Sequence, residues 1–325
     1  MSVTSADVAR AAGVSRATVS YVLNDAPGKV VSTETRAAVL RVAQELGYQP
    51  SALARSLKRG RSNTVLFPSP HVEMNHVLSS LIDACTAALA PRGFSLVSDV
   101  SRHHDPAAQA DAWAEIAPAA LLDLNLHHDD EALVLLRARG IPVLSAALPQ
   151  QDPWESSGDI FARLQRLEQL RFLIARGHRR IRWIMPTLLP VDPRTERRLL
   201  SEARSLVAEA DGRLELERID LPDVAAAVAE WSTMPDAVAT HNDTFAIATM
   251  TALQHRGVRI PDDVAVIGLD DEPLASVVTP SLTTIAGDFT DFAAAVADGV
   301  EAVLANQPAG ALPVPPLRLL ERASA

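Results

Sequence analysis

Through residues 1–61 the apolar positions fall at helical spacing; beyond them, short apolar runs alternate with longer amphipathic stretches. Val8, Ala11 and Ala12 form one stripe, and Thr4-x-x-Asp7 ahead of it has the form of a capping box with Asp in place of Glu. Gly13 breaks this helix at a position that calls for positive φ. Ser15 caps a second helix over 15–23, with Val19, Val22 and Leu23 on one face. Asp25, Pro27 and Gly28 give 24–29 the chemistry of a loop. Ser32 caps a third helix whose apolar set is Ala37, Leu40, Val42, Ala43 and Leu46, and Gly47 ends it. Two short helices joined by a glycine-containing turn, with a third in support, make a helix-turn-helix; a generic three-helix bundle fits the same pattern.

From Thr64 onward, strand-like runs at 65–68, 94–97, 120–124 and 142–144 alternate with helical stretches at 73–90, 106–116 and 129–139. The alternation resumes with strand 181–185 and helix 194–210, then strand 214–219, helix 224–231 and strand 237–240. Helix 243–256 and strand 264–269 follow. This order predicts two α/β lobes with parallel sheets covered by helices. Such a pair binds small molecules in the cleft between the lobes, near the carboxyl ends of the strands. The predicted fold class is therefore an all-α helix-turn-helix head on a two-lobed α/β body.

Charge sharpens that division. Residues 1–61 carry nine Lys and Arg against four Asp and Glu, a net charge of +5, which leaves −15 on the remainder of a chain whose total is −10. A basic head on an acidic body points to a head that binds a polyanion and a body with another task. At 325 residues the chain has room for two or three domains, and 48 % hydrophobic with 22 % charged residues excludes disorder as its main state. Cys85 is the only cysteine, so no disulfide forms within the chain. No apolar run reaches the roughly 18 residues of a membrane span, and residues 1–10 lack the apolar stretch of a secretory signal. A cytoplasmic protein with no membrane partner is expected.

Enzyme signatures are missing. The sequence has no Gly-x-Gly-x-x-Gly, no phosphate loop and no Gly-x-Ser-x-Gly elbow. His103-His104 and His127-His128 are adjacent pairs that cannot both chelate from one face, and His71, Glu73 and His76 lack metal spacing. Neither a catalytic residue, a metal nor a cofactor is expected.

The head carries a resemblance. Ala6-Asp7-Val8-Ala9, Ala12-Gly13-Val14-Ser15, Thr18-Val19-Ser20 and Val22-Leu23-Asn24 stand in the order of the DNA-binding head of LacI-type bacterial regulators. Val31-Ser32-x-x-Thr35-Arg36, Leu46-Gly47-Tyr48-x-Pro50 and Ser51-Ala52-Leu53-Ala54-Arg55-Ser56-Leu57 extend the match across nearly all of the first 60 residues. In the second lobe, Gly177-His178-Arg179-Arg180-Ile181 is similar to the family's helix-to-strand join. Pro235-Asp236-Ala237-Val238, Asn242-Asp243, the run from Gly257 to Asp271, Leu282-Thr283-Thr284-Ile285 and Glu321-Arg322-Ala323-Ser324 also fit.

The resemblance implies a helix-turn-helix domain over 1–49, a hinge helix and linker over 50–63, and an effector-binding and dimerisation body over 64–325. That body is expected to be periplasmic-binding-protein-like. Its lobe 1 would take about 64–160 plus 288–312, and lobe 2 about 161–287 plus 313–325. Arg16, Ala17 and Tyr21 match the family's base-reading positions on the second helix. Arg16 can donate two bonds to a guanine or one to a phosphate, and Ala17 offers a methyl to thymine. Tyr21 reaches an edge or a phosphate, and Thr18 and Ser20 hold phosphates that fix register. Tyr48 and Pro50 pack the bundle. In the hinge, Leu57 matches the leucine that wedges into the minor groove, with Arg55, Lys58 and Arg59 beside it.

For the effector, Arg198 and Asp270 match the family's ligand positions. Arg198 can clamp a carboxylate or hydroxyls; Asp270 can accept from sugar or base donors or cap a turn. Asn242 fits a ligand contact or the cap of the helix starting there. The implied partners are an operator duplex, a sugar-like or nucleoside-like effector and a second copy of the chain. A dimer is expected, since no heptad follows Arg322.

Two departures bear on the pocket. Ser201 and Glu202 stand where a glycine and an aromatic usually follow the family's arginine, and Arg197 leaves the register open by one residue. The first lobe has His71 to His76 where an aromatic pair is usual, and aromatics are only 4 % of the chain. Two other readings therefore stay open. One is a DNA binder with a degenerate pocket under a protein partner; the other is a sugar-binding or sugar-modifying protein whose head is incidental.

Overall fold

The computed structural model describes residues 3–23, 31–48, 62–68, 76–101, 103–124, 130–146, 157–188 and 193–325. The chain divides into two compact units, Met1–Asn63 and Thr64–Ala325.

The first unit is built from α1 (Ser5–Ala12), α2 (Arg16–Leu23) and α3 (Thr33–Glu45). Asp7 Oδ2 accepts from both the backbone N–H and the hydroxyl of Thr4, which fixes the start of α1. Gly13 ends it at φ 66°, a left-handed conformation in which a side chain would strain the backbone. Ser15 Oγ accepts from the Thr18 N–H at 3.0 Å, and Ser32 Oγ from the Thr35 N–H at 3.2 Å. Val8, Val19, Val22, Val39, Val42 and Ala43 close the core, with Tyr48 packed against it. The apolar face of α3 differs from the sequence expectation. Val39 is fully buried, whereas Leu40 and Leu46 are 48 % and 39 % exposed. Residues 39, 42 and 43 lie on one face of the helix, and residue 40 is turned about 100° away from 39.

The second unit holds two four-stranded parallel sheets. The first, in order β2-β1-β3-β4, comprises β1 (Thr64–Pro68), β2 (Ser95–Asp99), β3 (Ala120–Asp123) and β4 (Val143–Ser145). Helices α4 (His76–Leu89), α5 (Pro106–Glu115) and α6 (Asp130–Ala138) alternate with those strands. After α7 (Ser157–Ala175), the second sheet runs β5 (Arg180–Met185), β6 (Arg213–Arg218), β7 (Ala237–Thr240) and β8 (Ala265–Ile267), in spatial order β6-β5-β7-β8. Its helices are α8 (Pro193–Glu209), α9 (Val224–Ala229) and α10 (Asp243–His255). Strands β1, β3, β7 and β8, and β5 from Ile181 on, are buried or nearly so on both faces, as parallel sheets under helices require.

Four elements fall where the periodicity predicts none: α7, β9 (Thr284–Gly287), α11 (Thr290–Leu304) and β10 (Leu317–Leu320). They tie the lobes together. Strand β9 pairs antiparallel with β10, from Thr284 opposite Leu320 to Gly287 opposite Leu317. Helix α11 then returns to the first lobe. Its Phe292, Val296 and Val300 pack with Val65, Phe67, Leu122 and Leu144 in one core. Each such side chain contributes roughly 1.5–3 kcal/mol by leaving water. Cys85 lies in the same core, where burial pushes its thiol up to about 12, so it is no nucleophile.

Candidate functional site

The candidate surface of the head lies on α2. On α2, Val19 and Val22 face inward, while Arg16 and Ala17 are exposed and Thr18, Ser20 and Tyr21 are partly so. The Ser15 cap and the Gly13 turn set where this helix begins. The start of this capped helix thus presents an arginine and a methyl outward. Arg55, Leu57 and Lys58, with the whole of 49–61, lie outside the described residues.

In the body, the carboxyl ends of both sheets gather polar groups. On lobe 1, Asp99 closes β2 and accepts from the Ser101 N–H at 3.0 Å and from Trp113 Nε1 at 3.1 Å. Asp123 closes β3, is 2 % exposed, and accepts from Ser145 Oγ at 3.0 Å. Gln109 accepts from the His103 N–H at 2.8 Å through Oε1.

On lobe 2 the groups come from far apart in sequence. Helix α7 lays Gln165, Arg166 and Gln169 across the strand ends. Gln169 Nε2 donates toward the carbonyls of Thr240, Ile267 and Gly268 at 3.0, 3.3 and 2.9 Å. Gln165 Nε2 donates to Asp270 Oδ1 and to the Ile285 carbonyl, both at 3.0 Å. Arg166 reaches the Ala162 carbonyl at 2.9 Å and His241 Nδ1 at 3.1 Å. A guanidinium only donates, so His241 Nδ1 is the acceptor and its proton sits on Nε2. Burial, with Arg166 and Arg218 nearby, holds His241 down at about 3, so it is neutral at pH 7.

The motif from Gly268 to Asp271 follows from the same packing. Asp243, fully buried at the start of α10, accepts from Thr284 Oγ1 at 2.6 Å and from the Glu272 N–H at 2.7 Å. A Cβ on Gly268 would lie 2.0 Å from Asp243 Oδ1, so only glycine fits there. Asp270 and Asp271 then adopt φ 99° and 54°, a region Asp tolerates better than most residues. Burial pushes Asp243 up to about 8 and Asp270 up to about 7, and it outweighs the attraction of Arg166 for Asp270.

The three residues matched to an effector fall in different settings. Asp270 is buried within the network under Gln165. Asn242 caps α10, its Oδ1 accepting from the Phe245 N–H at 3.1 Å. Arg198 is on the exposed side of α8, paired through Nε with Glu202 at 3.0 Å. Glu202 is also held at 2.8 Å by Arg163 of α7. Thus Glu202, where the family's aromatic is usual, is a carboxylate shared by two arginines. Gln165, Arg166, Gln169, Arg218 and His241 had no motif to mark them. The one available signal is Gln165 and Gln169, four residues apart in phase with the buried Leu173 on α7.

Comparison with known proteins agrees with this layout. Residues 4–51 match the family model described as bacterial regulatory proteins, lacI family, and 170–325 match a periplasmic binding protein-like domain. The chain is 29 % identical over 305 residues to the ribose operon repressor of Escherichia coli, covering 86 % of each chain. It is 31 % identical over 295 residues to the HTH-type transcriptional repressor PurR of Vibrio atlanticus, covering 86 % of this chain and 85 % of that one. A solved structure of the Lac repressor dimer bound to operator and the anti-inducer ONPF superposes with TM-score 0.76 at 25 % identity, covering 100 % of this chain and 99 % of that one. The chain belongs to the LacI family of bacterial regulatory proteins.

Proposed function

We propose that the protein is a sequence-specific transcriptional regulator, a repressor that binds a palindromic operator as a dimer and answers to a small molecule in the inter-lobe cleft. The observation that carries this reading is α2: a Ser15-capped helix after the Gly13 turn, inside the matched residues 4–51, with Arg16 and Ala17 turned outward. Arg16, Ala17 and Tyr21 read base edges, and Thr18 and Ser20 hold phosphates. Arg55 and Lys58 contact the backbone beside the wedge of Leu57. The Lac repressor dimer, solved bound to operator and an anti-inducer, supports the same division of labour. Two heads on a two-fold axis meet half-sites about one helical turn apart.

The small molecule, sugar-like or nucleoside-like, lies between the Asp99–Asp123 rim of lobe 1 and the Asp270–His241 rim of lobe 2. It shifts DNA affinity only through its different affinity for the two arrangements of the lobes. Arg198 and Asp270 contribute from lobe 2, and Asn242 shapes the rim through its cap. The protein acts without catalysis, metal or cofactor, in the cytoplasm where its DNA lies.

The test measures the affinity of purified full-length protein for its selected duplex and a scrambled one at fixed salt, with and without a panel of sugars and nucleosides. A preference for the selected duplex of roughly 10³-fold or more is expected, together with a shift in that preference on adding one panel member. Equal affinity for the two duplexes contradicts the reading. A second reading, control by a protein partner, is favoured by Gln165 and Gln169, whose amides already occupy strand-end carbonyls that a ligand could use. In that case the operator preference survives and no panel member moves it.

A further inference from the structure

The structure assigns an anionic effector to the cleft: a small molecule with a carboxylate or phosphate group that Arg166 of α7 recognises through Nε. This rests on reading the inter-lobe cleft as the effector site. The arginines of the lobe-2 rim differ in their partners. Arg163 and Arg198 both pair with Glu202, and Arg218 pairs with Glu196. Arg166 pairs with no carboxylate among the described residues; its bonds go to the Ala162 carbonyl and to neutral His241. Its Nε is shielded from water and has no hydrogen-bond partner there. Asp270 attracts Arg166 through space, and the Oδ1 of Asp270 takes the Gln165 amide.

A buried guanidinium bound to neutral acceptors is unfavourable, and the attraction of Asp270, itself pushed up to about 7 by burial, offsets that desolvation only in part. The shift of Arg166 below its ordinary value, caused by burial, has the same origin. Arg166 also lines a narrow notch on lobe 2 with Asp159, Ala162, Arg163, Thr195, Glu196 and Leu199. Of the two acids there, Glu196 is neutralised by Arg218. An anionic oxygen accepting from Nε by way of the notch would supply the absent acceptor and the opposite charge that Asp270 gives only in part. A neutral hydroxyl supplies only the first. Arg166 is thus the residue that selects for charge in the effector.

The experiment compares ribose with ribose 5-phosphate, and glucose with gluconate, by calorimetric titration into the full-length dimer, with inorganic phosphate as a fragment probe. Binding of a phosphorylated or carboxylated probe at least ten-fold tighter than its neutral counterpart is expected, and the pair that responds tells phosphate from carboxylate. R166Q should reduce that preference at least ten-fold, and R166K should retain part of it. Thermal unfolding of each variant reports its folding. If R166Q does not fold, the comparison passes to the salt dependence of the unaltered protein. Affinity for the anionic probe should then fall with salt, while the neutral one's is flat. Equal binding of charged and neutral probes, binding of the neutral ones only, or binding of none overturns the assignment. Operator preference is measured on the same samples, so its presence without anion selection leaves the regulatory reading intact. Its absence fails that reading independently.

Discussion

Helix α2 of the head and helix α7 of the body both carry polar residues proposed for binding, and they use them in opposite ways. On α2 the structural work is confined to Ser15, Val19 and Val22, which leaves Arg16 and Ala17 facing solvent. On α7 the polar residues are themselves structural: Gln165 and Gln169 bind strand-end carbonyls, and Arg166 is held by His241. A surface that meets a rigid external partner such as DNA can be assembled locally, within one helix-turn-helix. A cleft that must be stable empty and still answer to a ligand is assembled from residues 70–120 positions apart, already bonded to each other. Mutation of the first should alter specificity with little effect on folding. Mutation of the second should alter both.

The largest test of that contrast is G268A. The new methyl would sit 2.0 Å from Asp243 Oδ1. An expected loss of about 3 kcal/mol in the body's unfolding free energy, read by denaturant titration, reflects displacement of the buried carboxyl group. A loss near zero would show that Asp243 moves freely and that the network is loose.

Next comes R16A, which should cost about 1–3 kcal/mol on the best duplex and relax base preference at one position of each half-site. The thermal unfolding of the protein should be unaltered. An equal loss on every sequence would make Arg16 a phosphate contact instead.

A smaller effect concerns pH. Burial raises Asp243 from 3.8 to about 8, so the folded state keeps a proton that the unfolded chain releases. That contribution is complete below about pH 4 and is lost as pH rises through about 8. D243N removes the titration. The stability of the natural protein relative to D243N should therefore fall by up to ~1.4 kcal/mol per pH unit across this window. A difference that rises with pH, or stays flat, contradicts the assignment of a buried neutral carboxyl.

The smallest is S15A, which removes the acceptor of the Thr18 N–H and should lower the head's stability by about 1 kcal/mol. Amide exchange resolved by segment should show the head opening more often, with the body unchanged.

Much of the fold is legible in the sequence because local rules dictate it. Thr4-x-x-Asp7, Gly13, Ser15 and Ser32 mark helix ends by hydrogen bonds within three residues, and the structure forms those bonds. All eight strands in the parallel sheets overlap the strand-like runs read from the sequence. What escapes local rules is set at long range. Helix α7 buries Gln165 and Gln169, so its core-facing stripe looks polar. Strands β9 and β10 are four residues each and owe their existence to pairing across some 30 residues of intervening chain. Leu40 and Leu46 count as core by type but lie off the buried face of α3. The cleft follows the same logic. Asp270 carries a family motif, whereas Arg166 and His241 meet only in three dimensions.

The most direct test of the central claim is selection of random duplexes by the full-length protein at a stated salt concentration, run beside R16A. The natural protein should enrich a palindrome whose half-sites lie about one helical turn apart, and R16A should enrich the same palindrome with one position per half-site degenerate. Weak, salt-sensitive binding with no enriched sequence would contradict the assignment of α2 as the reading element.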